Sequence, residues 1–262
     1  MKVALSIAGS DPTGGAGLQL DLQVFRALGL HGAGVPTALT IQDTSRVHRV
    51  LPAFPSVVLD QLRVLLADLR PAAVKIGMLA SDDVVRNVAL ALSGLDESIP
   101  WVIDPVLLAS DGTPLLERRA WGTLAGLFPR ATIVTPNRPE AEALTGEDAS
   151  TDAGAVHAAT ALLADGAHAV LLKGGHREGE PRDLLAVDAS DGPHFRWLEG
   201  ERIDAGPVHG TGCALSSAIA AGLAHGRSLE TAIDEARAFV ANAITRAAAE
   251  PPPGHGARLL RF

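Results

Sequence analysis

The chain has 262 residues, with 22 basic against 30 acidic side chains and a formal charge of −8 at pH 7; no basic patch offsets this balance, so a nucleic-acid partner is excluded. At 47% hydrophobic and 20% charged residues the composition excludes intrinsic disorder and suffices for a large core. Cys213 is the only cysteine, which excludes an intrachain disulfide or a multi-cysteine metal site and suits a reducing cytoplasm, and with neither a signal-peptide core nor an apolar run of roughly 18 residues the sequence reads as soluble and cytoplasmic, with no membrane partner.

Short β-branched runs alternate with longer amphipathic stretches throughout, the pattern of one βα-repeating domain, 1–262, around a largely parallel sheet. The first strand, at 3–7, runs into Ala8-Gly9-Ser10-Asp11-Pro12-Thr13-Gly14-Gly15-Ala16-Gly17, ahead of a helix carrying Leu18, Leu22 and Phe25. This turn lacks the lysine of G-x-x-x-x-G-K-[ST] and the spacing of G-x-G-x-x-G, so two common nucleotide loops lose support. Taken alone it reads equally as a ligand loop or as a tight turn that needs glycine. Further strands are expected at 34–40, 73–76, 101–103, 132–135 and 169–172, each ending in Gly, Pro, Asp or Asn. Ligands of open parallel sheets bind beyond such strand ends.

Segments 47–52 and 183–198 read as short antiparallel strands at the sheet edge. Between strands, Val58, Leu62, Leu65, Leu66 and Leu69 share one helix face, and Leu229, Ile233, Ala236, Val240 and Ile244 line the last helix. Ser81 before Asp82 and Asp83 reads as an N-cap with acids in the first turn; Thr113-Pro114 reads as a cap with proline at the first helical position. Only three of the basic residues are lysines, Lys2, Lys75 and Lys173, so an internal lysine is a candidate for chemistry that arginine does not perform. Lys75 equally reads as a side chain snorkelling from the sheet.

Asp104-Pro105-Val106 offers a carboxylate at a strand end, either for magnesium or as a turn residue before proline. In Thr135-Pro136-Asn137-Arg138-Pro139-Glu140, Asn137 and Glu140 share one side of a helix's opening turn, where the carboxylate suits the water shell of magnesium. Alone, the pair reads more simply as a capping box. Lys173-Gly174-Gly175-His176 places a lysine at a strand end, as a point charge for a nucleotide phosphate or as a solvated loop residue. His209-Gly210-Thr211-Gly212-Cys213 opens a small-residue helix, whose free N–H groups make an anion cradle. Cys213 sits in its first turn, where the dipole is expected to lower the thiol's pKa; the plain alternative is a small packing residue. No H-E-x-x-H and no G-x-S-x-G occurs, so a zinc protease and a serine hydrolase have no support.

In order along the chain, the turn at 8–17, Thr-Ala-Leu-Thr-Ile-Gln at 37–42, Lys-Ile-Gly-Met at 75–78, Asp-Pro-Val at 104–106, Thr-Pro-Asn-x-x-Glu at 135–140, Lys-Gly-Gly-His at 173–176 and His-Gly-Thr-Gly-Cys at 209–213 resemble the hydroxymethylpyrimidine/phosphomethylpyrimidine kinases of thiamin biosynthesis. The resemblance implies a three-layer ribokinase-like α/β domain with a small edge-strand lid, and a homodimer in which the two short edge segments complete a shared lid. It implies ATP-dependent phosphorylation of 4-amino-5-hydroxymethyl-2-methylpyrimidine, and then of its monophosphate. By that pattern Gln42 bonds the aminopyrimidine, with Gly9, Asp11 and Met78 at the pocket. Cys213 stands as base, the amides of Gly210, Thr211 and Gly212 form the anion hole, and Lys173, Asn137 and Thr211 serve ATP. Asp104 and Glu140 serve Mg2+. Asp43 and Ile41 depart from the family pattern beside the pocket. Pyridoxal kinases of the same fold are the rival reading. An ATP-dependent NAD(P)HX dehydratase, where an aspartate is expected at Cys213, and a catalytically silent pyrimidine-binding module stand further off.

Overall fold

The structure, a computed structural model, describes residues 1–175 and 180–262; His176 lies outside the described residues. The strands are β1 (Val3–Ser10), β2 (His31–Gln42), β3 (Val47–Pro52), β4 (Ala73–Ile76), β5 (Trp101–Ile103), β6 (Ile133–Val134), β7 (Ala169–Leu172), β8 (Arg182–Val187), β9 (His194–Glu199), β10 (Val208–His209) and β11 (Arg258–Leu259). The helices are α1 (Gly17–Ala27), α2 (Pro55–Asp68), α3 (Asp82–Leu92), α4 (Trp121–Ala125), α5 (Arg138–Thr145), α6 (Asp152–Ala164), α7 (Thr211–Ala224) and α8 (Leu229–Ala248).

Nine strands form one sheet in the order β3-β2-β1-β4-β5-β6-β7-β8-β9. From β2 to β7 every pairing is parallel, and β3, β8 and β9 join antiparallel. A parallel centre needs cover on both faces, and the side-chain alternation supplies it. Leu5, Ile7, Val74, Ile76 and Ile103 point into a core with α2 to α6, whereas Ala4, Ala73, Val102 and Ala169 point into a second core with α1, α7 and α8. Phe128 anchors the first core and Phe25 the second, each 0% exposed and each contributing roughly 1.5–3 kcal/mol by burial.

The two segments expected at an edge lie at opposite edges: β3 at one, the β8–β9 hairpin at the other. The turn joining β2 to β3 lines a cleft with Pro12 and Thr13 of the first glycine turn, while β8 and β9 lie at the far edge, so the two segments do not complete one lid in this chain. Ser81 caps α3 by accepting from the Val84 N–H, as the sequence indicated. Thr113-Pro114 starts no helix: Pro114 bridges back to Leu108 and Thr113 N–H donates to Asp111, so a tight loop takes up the turn chemistry that suggested a cap. Of the apolar face on α2 only Val58 and Leu62 are fully buried, with Leu65 and Leu66 packing at its margin. Among the described residues no helix is long and apolar enough to cross a membrane.

Candidate active site

Strand β1 ends where backbone must reverse into α1, and Asp11 organises that turn. Its Oδ1 accepts from Thr13 N–H at 2.9 Å and its Oδ2 from the Thr13 hydroxyl at 2.9 Å, while Asp11 N–H donates to Gln19 Oε1 at 3.0 Å. Burial raises the Asp11 carboxyl, but the bonds from His209 and Thr13 bring it below the usual value. The sequence assigned Asp11 to the substrate; the structure gives its oxygens to the loop itself and to His209.

The second glycine loop packs directly on the first. Strand β10 pairs with β11, carried back by the C-terminal segment, and the chain then turns at Gly210 with φ +78° into α7. A Cβ on Gly210 would lie 1.9 Å from Gly15 O, so the position requires glycine for both its backbone angle and its closeness. Gly210 is the N-cap residue and supplies no side-chain cap. The N–H groups of Thr211, Gly212 and Cys213 have no intrahelical acceptors, an arrangement suited to an anion.

Beyond the loops the residues separate into two ends. At one, Gly9 and Met78 meet so closely that a Gly9 Cβ would lie 2.6 Å from Met78 Sδ. Gln42 Nε2 lies 2.9 Å from His209 Nε2, which lies 3.1 Å from Asp11 Oδ2. A cleft of about 370 Å³ opens here, lined by Pro12, Thr13, Gln42, Asp43, Thr44, Ser45, Gly254 and His255. The C-terminal segment is fastened across it, with Gly256 N–H donating to the Thr44 hydroxyl at 3.0 Å and Ala257 N–H to Thr44 O at 2.8 Å. Asp43 is committed to the lid turn: the bond to His48 first, then those from Ser45 and Arg46 N–H, hold its carboxyl down at about 2.

At the other end β5, β6 and β7 deliver Asp104, Asn137 and Lys173 to one place. Lys173 N–H donates to Pro136 O at 2.8 Å, which draws its strand end to that of β6, and Nζ pairs with Asp104 Oδ1 at 2.7 Å. The Thr135 and Ser216 hydroxyls also donate to Asp104, at 3.1 and 3.3 Å. Burial raises Asp104, and Lys173 and Lys75 more than offset it. Asn137 and Glu140 form the full capping box, so the structural reading of that pair holds. Glu140 is also part of the cluster: burial first, then repulsion from Asp104, push its carboxyl up to about 7, against the pull of Lys173.

Cys213 differs from expectation. Burial pushes its thiol up to about 11, with Asp104 and Asp21 adding to the rise and Lys75 and a bond from Gly17 opposing it. The helix-end contribution is outweighed by desolvation and by nearby carboxylates. Lys75 does not snorkel: it is 0% exposed and pairs with Asp21 at 2.8 Å. Burial pulls the Lys75 ammonium down, and Asp21, Cys213 and Asp104 raise it above its ordinary value. Sequence reasoning passed over Asp21, which also accepts from Ser6 and Ser217. Its sole signal was a charge on the otherwise apolar buried face of α1, beside Leu20 and Val24.

Among the described residues no group of three or more His, Cys, Asp and Glu side chains is placed to hold a metal ion. Asp104 and Glu140 do fit Mg2+, which takes one or two carboxylates with the rest of its shell from water and phosphate. A buried carboxyl that resists ionisation beside a second carboxylate is the group a cation would stabilise.

Solved structures similar to this chain include kinases of two vitamins' precursors and forms. A phosphomethylpyrimidine kinase from Clostridium difficile superposes with a TM-score of 0.80 at 34% identity, covering 93% of this chain and 100% of that one. A pyridoxal kinase from Bacillus subtilis, solved as an ADP complex, superposes with a TM-score of 0.87 at 31% identity, covering 100% and 97%. Fold and site together define a ribokinase-like kinase of small molecules. Within that class, the phosphomethylpyrimidine kinase model matches residues 11–259, and a hydroxymethylpyrimidine/phosphomethylpyrimidine kinase of Streptomyces coelicolor is 41% identical over 93% of this chain and 88% of its own length. The chain belongs to the phosphomethylpyrimidine kinase family.

Proposed function

We propose that the protein transfers the γ-phosphoryl group of ATP to the hydroxymethyl oxygen of 4-amino-5-hydroxymethyl-2-methylpyrimidine, and then phosphorylates the monophosphate to the diphosphate in thiamin biosynthesis. In the first transfer the substrate O–H bond breaks, a new O–P bond forms and the bond to ADP breaks. The observation that carries this reading is the uncapped N-terminus of α7, set between the Gln42 cleft and the Asp104–Lys173–Glu140 cluster.

The amides of Gly210, Thr211 and Gly212 hold the negative charge that moves onto the transferring group, at no reorganisation cost because the helix already aims them. Gln42 both donates and accepts, which matches a ring nitrogen beside an exocyclic amine, and Gly9 and Met78 would line the pocket once the substrate is bound. Lys173, Asn137 and Thr211 serve the nucleotide. Asp104 and Glu140 would hold Mg2+, which supplies charge neutralisation for the phosphates. Cys213 takes the hydroxyl proton as a thiolate, a modest contribution because phosphoryl transfer is largely dissociative.

The same reading makes the protein a cytoplasmic homodimer in which each chain is one kinase domain. Leu39 and Leu51 are cross-strand partners on the β2–β3 lid, 56% and 42% exposed, which supports a second copy as their cover. Light scattering that finds only monomer at working concentration overturns that assembly. The pyridoxal kinases' superposition favours a second reading, a pyridoxal kinase. Mass spectrometry of products from ATP, Mg2+ and the pyrimidine tests the first: monophosphate followed by diphosphate is expected, and pyrimidine left untouched while pyridoxal is phosphorylated overturns it.

A further inference from the structure

Two residues of the acceptor end converge on one ring nitrogen. His209 Nε2 lies 2.9 Å from the Gln42 side-chain amide and 3.1 Å from Asp11 Oδ2. A single imidazole nitrogen donates when it carries a proton and accepts when it does not; it cannot accept from an amide NH2 and donate to a carboxylate together.

Asp11 decides between the two states. It is 3% exposed and already accepts from Thr13 through both oxygens. Burial raises its carboxyl, the His209 and Thr13 bonds outweigh that, and the group stays ionised at neutral pH. A carboxylate at this distance would be repelled by a bare ring lone pair, so the proton resides on Nε2. That N–H then repels an amide NH2. Because the two ends of an amide are nearly equal in shape, a half-turn of the Gln42 side chain brings Oε1 to the ring and turns NH2 toward the cleft. Oε1 keeps a second lone pair for a substrate amine, and NH2 is free for a ring nitrogen.

We propose that His209, held by Asp11, is a positioning residue that fixes which end of the Gln42 amide meets the substrate, and so selects a heterocycle with an amine donor beside a ring-nitrogen acceptor. This rests on the acceptor reading above. Without the His209 N–H the amide samples both orientations, and in the wrong one donor faces donor and acceptor faces acceptor.

The test joins a spectroscopic and a kinetic measurement on the full-length enzyme. Nitrogen NMR of 15N-histidine-labelled protein, with His209 assigned by its loss in His209→Gln, should show Nε2 protonated; a His209 protonated only at Nδ1 overturns the proposal, and this readout needs only the wild-type fold. In kinetics, His209→Leu should raise KM for the pyrimidine about tenfold and leave KM for ATP within about twofold. It should also reduce the preference for the pyrimidine over its analogue lacking the exocyclic amine. His209→Gln, which places an amide N–H near the position of Nε2–H, should restore most of both. An unchanged pyrimidine KM in His209→Leu, equal losses on the two substrates, or no difference between the Leu and Gln variants overturns the inference while the kinase assignment stands. A wild-type enzyme inactive on the pyrimidine overturns both.

Discussion

Lys173 Nζ lies 2.7 Å from Asp104 Oδ1, joining two strand ends 69 residues apart in the chain. The pair is almost enclosed, with the lysine side chain 14% and the aspartate 2% exposed. A cation in this position answers two carboxylates at rest and offers its remaining N–H groups to an incoming phosphate.

Lys173→Met should therefore weaken ATP binding by about 1.5–3 kcal/mol, the range for a charged hydrogen bond. Lys173→Arg should not rescue it, because a planar guanidinium does not reproduce the compact ammonium that sits 2.7 Å from Asp104. Calorimetric titration with ATP measures both; wild-type affinity in the arginine variant would contradict that requirement.

Glu140 makes the stability of the ligand-free protein depend on pH. Its folded-state value of about 7 lies above the ordinary 4.5, so the stability contributed by the protonated carboxyl is full below about pH 4.5 and is lost as pH rises through 7. Glu140→Gln keeps the capping acceptor and removes the titration. At pH 8, without Mg2+, it should be more stable than wild type by on the order of 1–3 kcal/mol, with the difference vanishing near pH 4.5. Urea unfolding at the two pH values reads this directly, and a variant less stable at pH 8 would contradict it.

A Cys213 thiol near 11 rests protonated at neutral pH, so a thiolate base should show itself as a rise of kcat with pH. Between pH 7 and 9 wild-type kcat should climb, while Cys213→Ala should be slower by about 10²-fold at pH 9, the low end for general-base help, and flatter with pH. Equal kcat values and parallel profiles for the two enzymes would leave the chemistry to the amides of 210–212 alone.

The buried Lys75–Asp21 pair predicts an asymmetric mutational effect. Lys75→Met strands a carboxylate that is 0% exposed and should cost ~3–5 kcal/mol. Lys75→Met with Asp21→Asn should recover most of that loss, since the amide oxygen still accepts from Ser6 or Ser217. Denaturant unfolding of the single and double variants is the check; a double variant as unstable as Lys75→Met would contradict the account.

Most of the strands were legible because their signals are local. Residues 47–52, 73–76, 101–103 and 169–172 form the strands expected of them, since β-branched runs bounded by Gly, Pro and Asp carry their own boundaries. The 183–198 segment forms the antiparallel edge strands expected of it, with Asp191 and Gly192 in the turn between them. Thr113-Pro114 has the local signature of a helix start, and a bridge to nearby Leu108 closes a loop there instead. The other failures depended on contacts remote in sequence. Lys75 resembles a snorkelling lysine until Asp21, 54 residues away, is placed against it. The Cys213 thiol was read from its helix position alone, and only the assembled neighbourhood of Asp104, Asp21 and Lys75 sets its direction. Gln42 and His209 are 167 residues apart and meet where His209 pairs with Leu259 in the β10–β11 ladder.

The acceptor choice is the central claim, and the ratio of kcat/KM for 4-amino-5-hydroxymethyl-2-methylpyrimidine to that for pyridoxal, measured with saturating ATP in wild type and Gln42→Leu, tests it most directly. The account predicts a wild-type ratio above one and a pyrimidine-specific loss in Gln42→Leu, of about 1–3 kcal/mol in transition-state binding, as the polar groups of the ring lose their partner. A wild-type ratio below one, or a Gln42→Leu enzyme with the wild-type ratio, would contradict it.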